Sequence, residues 1–147
     1  MNIFWQAFQV NAPVEKVAFF NRDARVLKTL PLPPLFVKLN YVEPMVEGSI
    51  ADFMNWLGPI PIRWRAIHSE IDSIAGFKDT QLEGPFSSRE YRHSFQAIHS
   101  ETTQVNHEIR AELSRHPYRA IVCKVLWINL PILFAYRTWK NRQRLEQ

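Results

Sequence analysis

The chain has 147 residues, of which 46% are hydrophobic, 13% aromatic and 22% charged. That is enough for one domain with a sizeable core, and it excludes a disordered or fibrous protein. The single cysteine, Cys123, excludes an internal disulfide and a multi-cysteine zinc site and suits a reducing compartment.

The pI near 9.5 comes from one end of the chain. From Arg115 onward there are seven Lys/Arg and one acid, Glu146, whereas residues 1–114 hold 11 bases against 13 acids. Arg137, Lys140, Arg142 and Arg144 fall where cations complement the negative end of a helix dipole. A solvated helix end is therefore expected, with an anionic membrane or nucleic acid as the other reading. No nucleic-acid partner is expected.

The first residues, Met1 to Gln6, have neither a basic region nor an apolar run, so no signal peptide is expected and the localisation expected is cytoplasmic. The most apolar run, Ile121 to Ala135, is interrupted by Lys124, Asn129 and Pro131 and is shorter than the roughly 20 residues that span a bilayer. It reads as a buried helix, without stable membrane insertion.

Phe4 to Val10 alternates as a strand, with Phe4, Gln6, Phe8 and Val10 on one face. Asn11-Ala12-Pro13 starts a helix, Asn11 serving as N-cap and Pro13 in the first turn. Val14, Val17 and Ala18 follow at helical spacing. A second short helix is expected from Asp23 through Val26, Leu27 and Leu30, ended by the extended Pro31-Leu32-Pro33-Pro34. Strand-like runs follow at Leu35–Val46, Ser49–Leu57, Ile60–Asp72, Phe77–Leu82, Arg89–His99 and Thr102–Ser114. The turn signals between them predict an antiparallel meander. After His116-Pro117, Tyr118 to Leu145 reads as a long helix kinked or interrupted at Pro131, with an apolar stripe of Ile121, Val125, Ile128, Ile132 and Leu133.

A sheet with an apolar face must bury it. The expected fold is therefore α+β in a single domain over residues 1–147. A seven-stranded antiparallel sheet wraps a long C-terminal helix, with two short helices after the first strand, and a hollow can remain between sheet and helix.

The stretch Gly84-Pro85-Phe86 to Phe95 carries the most chemistry. Gly-Pro makes a turn, and Arg89, Tyr91, His93 and Phe95 then share one strand face. If Phe77, Trp64 and Val105 face inward, so do Asp79, Gln81, His68 and His107. Pairing about the Ser100-Glu101 turn brings His107 opposite Phe95 or His93. Asp79, Tyr91, His93 and His107 are the candidate catalytic residues. A His titrates near neutrality and suits proton abstraction, a Tyr or Arg can stabilise enolate charge, and Asp79 can orient a His. Trp64, His68, Gln81, Arg89, Phe95 and Phe134 are the candidate ligand-binding residues. The structural alternative is an Asp79–Arg89 ion pair with two hydrogen-bonded His. Two His without a clear third ligand do not make a metal site, and proton-transfer chemistry of this kind needs no cofactor.

The order of elements, with Asn11-Ala12-Pro13, Glu47-Gly48, Ile62-Arg63-Trp64, Phe77-Lys78-Asp79-Thr80-Gln81, Gly84-Pro85-Phe86, Thr103-Gln104-Val105 and Leu133-Phe134-Ala135-Tyr136-Arg137, resembles the SRPBCC superfamily. This is the helix-grip group that includes START lipid-binding domains, birch-pollen-allergen-like proteins and polyketide cyclase/dehydrase domains. The resemblance implies the helix-grip fold and an internal apolar pocket. Arg89 and Tyr91 stand where the small ligand-binding branch carries Trp and His, and His107 stands where it often carries an acid. The implied function is binding of a hydrophobic, aromatic or polyketide-like small molecule, with cofactor-free cyclisation, dehydration or isomerisation. The alternative is a non-catalytic lipid or isoprenoid carrier. The partner expected is that hydrophobic ligand, with the chain a monomer or homodimer.

Overall fold

The structure, a computed structural model, describes residues 2–22, 35–42, 46–57, 59–72 and 74–146. In chain order the elements are β1 (Asn2–Val10), α1 (Val14–Arg22), β2 (Leu35–Val42), β3 (Ile50–Leu57), β4 (Ile60–Asp72), β5 (Gly76–Glu83), β6 (Ser88–His99), β7 (Thr102–Glu112), α2 (Pro117–Ile128) and α3 (Leu130–Leu145). The strands form one sheet in the order β1-β7-β6-β5-β4-β3-β2, and every neighbouring pair is antiparallel. The seven strands and their meander are as expected. The strand run expected to reach Val46 is described as far as Val42, and Val46 lies outside any strand. The expected helix from Asp23 to Leu30 and the proline segment after it fall outside the described residues.

Strand alternation divides the sheet as predicted. On β4, Ile62, Trp64, Ala66 and His68 are buried while Arg63 and Arg65 face solvent. On β7, Thr103, Val105, His107, Ile109 and Ala111 are buried. The inner faces supply two apolar clusters. One gathers Phe8, Val10, Val17, Phe77, Phe95, Val105 and Leu145 beneath α1 and the end of α3. The other gathers Ile62, Trp64, Phe86, Ile109, Val122, Cys123, Leu130 and Phe134 beneath α2 and the start of α3.

Polar contacts fasten the first cluster. Thr103 Oγ1 donates to the Ala12 carbonyl at 2.8 Å, Asn21 Nδ2 donates to Asn141 Oδ1 at 2.8 Å, and the Asn11 N–H donates to Glu146 Oε2 at 2.7 Å. These bonds tie both flanks of α1 to the C-terminal helix, so β1, α1, β7 and α3 share one closed end.

The C-terminal segment is interrupted beside Pro131, as expected, into two helices bent by 47°. Asn129 ends α2 and begins α3, and its side-chain Nδ2 donates to the Val125 carbonyl at 2.7 Å. Pro131 then sits in the first turn of α3, where its missing N–H costs nothing. The departure is that the expected apolar stripe points outward except at Leu133, which packs against the core. Ile121 is 64% exposed, Ile128 73% and Ile132 57%. Val122, Cys123, Leu130 and Phe134 are the buried side chains instead. The segment is apolar around most of its circumference, so helical periodicity defines two stripes and cannot choose between them.

Candidate active site

Between the two apolar clusters, the inner face of β4, β5, β6 and β7 turns polar. Cross-strand register explains why. His68 pairs with Asp79, Asp79 with Tyr91, Phe77 with His93, and His93 with His107. Direct and diagonal neighbours on one sheet face lie within side-chain reach. The array therefore assembles from strand alternation and hairpin register alone.

Asp79 stands at the centre of the first half. His68 Nε2 lies 2.8 Å from Asp79 Oδ1, and His93 Nε2 lies 3.3 Å from Asp79 Oδ2. A carboxylate only accepts, so each imidazole keeps its proton on Nε2. The other nitrogen of His68 meets Ser49 Oγ at 3.0 Å. The other nitrogen of His93 is left as the basic one. His93 is held flat between two rings, Phe77 at 4.3 Å and Tyr91 at 3.7 Å between centroids. Gly76 lets β5 approach closely here. Its φ is +136°, and a Cβ would collide with the His93 backbone carbonyl.

The second half is a chain of hydrogen bonds. Tyr91 Oη lies 2.6 Å from His107 Nδ1, and Arg137 Nη1 donates to Tyr91 Oη at 3.4 Å. With Arg137 donating to the phenol oxygen, the phenol proton goes to His107 Nδ1, and His107 carries its own proton on Nε2. Apart from Asp79 Oδ1, which lies 2.8 Å from His68 Nε2, three buried side-chain atoms have no hydrogen-bond partner among the described residues: His107 Nε2, Arg137 Nε and Gln6 Oε1. Gln6 is the cross-strand partner of His107. Arg89 lies over the rings of Trp64 at 4.8 Å and Tyr91 at 5.2 Å.

Burial sets the protonation states. It pushes His93 below its ordinary value against the pull of Asp79. It pushes His107 further down, aided by the nearby His93 and Arg137. Both are neutral at pH 7. Burial raises Tyr91 far above the usual phenol range, partly offset by Arg137 and Arg89. Burial alone would raise Asp79, but the hydrogen bonds and charges of His68 and His93 outweigh it and hold the carboxyl well below the usual carboxylate range. Burial lowers Arg89 to about 10, so it remains a cation. A charged carboxylate, neutral imidazoles, a protonated phenol and two guanidinium groups thus share one face. Among the described residues, no group of three or more His, Cys, Asp or Glu is arranged to hold a metal.

The structure brings Asp79, Tyr91, His93, His107, His68, Arg89, Trp64 and Phe134 together. Phe134 stands 5.8 Å from Tyr91 and 5.0 Å from His107 between ring centroids. Two other candidates sit apart from this array. Phe95 belongs to the apolar cluster under α1. Gln81 Nε2 donates to the Phe86 carbonyl at 2.8 Å and so closes the Gly84-Pro85 turn. Asp79 bridges His68 and His93 and forms no ion pair with Arg89 within the described contacts. Arg137 corrects the expectation of a solvated helix end, because it points inward to Tyr91. Its place three residues after Phe134 was the available signal. Gln6 was signalled by its alternation with Phe4 and Phe8, whereas nothing in the local pattern marked Ser49.

A seven-stranded antiparallel sheet laid against C-terminal helices is the helix-grip fold that the sequence led us to expect. Solved structures share it over nearly the whole chain. A Thermus thermophilus protein is similar at TM-score 0.74 and 16% identity, covering 98% of this chain and 97% of the other. The Zhui aromatase/cyclase of a Streptomyces species is similar at TM-score 0.69 and 15% identity, covering 97% and 94%. Norcoclaurine synthase of Thalictrum flavum, solved with dopamine and hydroxybenzaldehyde, is similar at TM-score 0.70 and 15% identity, covering 97% and 84%. No family model and no curated protein sequence matches the chain.

Proposed function

We propose that this protein binds a hydrophobic, aromatic or polyketide-like carbonyl compound on the inner sheet face and catalyses its cofactor-free cyclisation, dehydration or isomerisation. The observation that carries the reading is the Asp79–His93 dyad beside the buried Arg137–Tyr91–His107 chain, whose His107 Nε2 and Arg137 Nε have no partner among the described residues. A buried polar group without a partner costs stability, and each of these two donors is open to a ligand oxygen. His93, oriented by Asp79 and neutral, takes a proton from the carbon beside the carbonyl through its free nitrogen. Arg137 and His107 stabilise the resulting enolate oxygen, and Tyr91, by donating to His107 Nδ1, keeps the His107 proton on Nε2. Returning the proton at another carbon completes an isomerisation. Attack of the enolate carbon on a second carbonyl forms the new bond of an aldol cyclisation, and loss of water with proton transfer to the leaving hydroxyl completes a dehydration. Similar folds in an aromatase/cyclase and in norcoclaurine synthase support the reading.

The test is deuterium exchange in D₂O at the carbon beside the carbonyl of aryl-ketone probes, followed by NMR, with ligand binding read in parallel by tryptophan quenching. Exchange that disappears in His93→Gln while binding persists is the expected result. A second reading, a non-catalytic lipid or isoprenoid carrier, is favoured by the 2.6 Å Tyr91–His107 bond, in which two side chains already satisfy one another. Binding without exchange, unchanged by His93→Gln, would establish the carrier and overturn the enzyme.

A further inference from the structure

The outer face of α2 and α3 carries apolar side chains that the fold does not use. On α2, Tyr118, Ile121, Val125 and Ile128 recur at steps of three and four residues and are all exposed. On α3, Ile132, Ala135 and Trp139 do the same. Isolated exposed apolar residues need no explanation, but a stripe along two successive helices does.

The charges around it have one sign. Between Arg115 and Leu145 there is no Asp or Glu, while Arg119, Lys124, Lys140, Arg142 and Arg144 are partly or fully exposed. Lys140 Nζ lies 5.4 Å from the Trp139 ring and 5.8 Å from the Tyr136 ring, so cation and aromatics are interleaved at one end of the stripe. An apolar face flanked by Lys and Arg, with Trp and Tyr among them, has the chemistry of a helix that lies in a lipid headgroup layer. We propose that α2 and α3 dock this protein on the surface of an anionic lipid bilayer, with the exposed isoleucines entering the headgroup–acyl boundary.

Two other occupants fit less well. A second copy meeting this face through two-fold symmetry would set the cations of one face against the same cations of the other. A full membrane crossing is opposed by the packing. No single helix among the described residues is long and apolar enough to span, and although the bent pair passes by length and composition, its inner face is built into the sheet. Val122, Cys123 and Phe134 lie in the core, and Arg137 is bonded to Tyr91. The other exposed apolar residues do not share the pattern. Ile3 and Trp5 on β1 lie opposite Arg110 and Glu108, a mixed-charge surface.

Docking does not depend on whether the polar centre catalyses, and it is tested separately, by flotation of the purified protein with phosphatidylcholine vesicles and with phosphatidylcholine–phosphatidylglycerol vesicles. Binding is expected only to the anionic vesicles, weakening as salt rises from about 0.1 M to about 1 M and the screening length shrinks. Ile121→Asp/Ile128→Asp is expected to lower it at least tenfold, and Lys140→Gln by about fivefold, the worth of one cation near such a surface. Trp5→Ser serves as the surface control and is expected to bind like the unmodified protein, with circular dichroism checking that every variant is folded. Absence of flotation with anionic vesicles at low salt overturns the proposal. So does flotation unaffected by the isoleucine changes, or a concentration-dependent dimer that Ile128→Asp dissolves.

Discussion

Two stretches of the same strand face, two residues apart, behave differently. At Val105 and Phe95 the inner sheet face is dry and closed, packed with Val10, Val17 and Leu145. At His107 and His93, one step along each strand, it holds an imidazole pair, a carboxylate and a phenol. Backbone geometry and register are continuous through both, so only side-chain identity separates them. The first stretch is built to exclude water, whereas the second retains buried polar groups that an apolar core would not need. The fold thus keeps a dry apolar core at one end of the face and a buried polar array beside it.

The sharpest way to break this comparison is Asp79→Ala. It leaves the Nε2–H groups of His68 and His93 facing each other without an acceptor, so a loss on the order of 3 kcal/mol in urea unfolding is expected. A triple change, His68→Leu/Asp79→Leu/His93→Phe, is expected to recover most of that stability while abolishing exchange activity. If the triple variant is as unstable as Asp79→Ala, the polar array is structural. On the dry side, Val105→Ala removes a fully buried side chain and is expected to cost about 2 kcal/mol with little change in the pH dependence of activity.

Acid should separate the two stretches as well. His93 and His107 both have folded-state values below the ordinary 6.5, so below that pH the unfolded chain binds more protons than the folded one. Stability is therefore complete above about 6.5 and falls as pH drops, with a limiting slope of about 1.4 kcal/mol per pH unit for each His. Thermal unfolding followed from pH 8 down to pH 5 should show this slope, reduced in His107→Phe and unchanged in Val105→Ala.

Tyr91→Phe removes one hydroxyl and is expected to cost about 1 kcal/mol of stability. If the hydroxyl fixes the His107 tautomer that donates to the enolate, the exchange rate should fall on the order of a hundredfold. An exchange rate unchanged by this substitution would mean that His107 holds that tautomer without the hydroxyl. The smallest effect is expected on the outer helix face, where Ile128→Ser should shift stability by no more than about 0.5 kcal/mol because that side chain is mostly in solvent.

Much of the site was legible before the tertiary structure. Strand alternation put Asp79, Tyr91, His93 and His107 on one face, and the hairpin turn at Ser100-Glu101 narrowed the partner of His107 to Phe95 or His93, of which the register, shifted between Ala97 and His99, selects His93. Those inferences rest on a period of two and a short turn, both local. Hydrophobic pattern and turn residues likewise determined the seven-strand meander and the final helical segment.

Other features depended on contacts between parts of the chain far apart in sequence, which local periodicity does not encode. The bridging of His68 and His93 by Asp79 needed three strands in register. The inward turn of Arg137 onto Tyr91 needed the placement of α3 over β6, 46 residues away along the chain. The choice between the two apolar stripes of α2 and α3 was settled by which of them met the sheet. A helix apolar on two sides has no local preference between them, and only the partner surface that covers one of them decides.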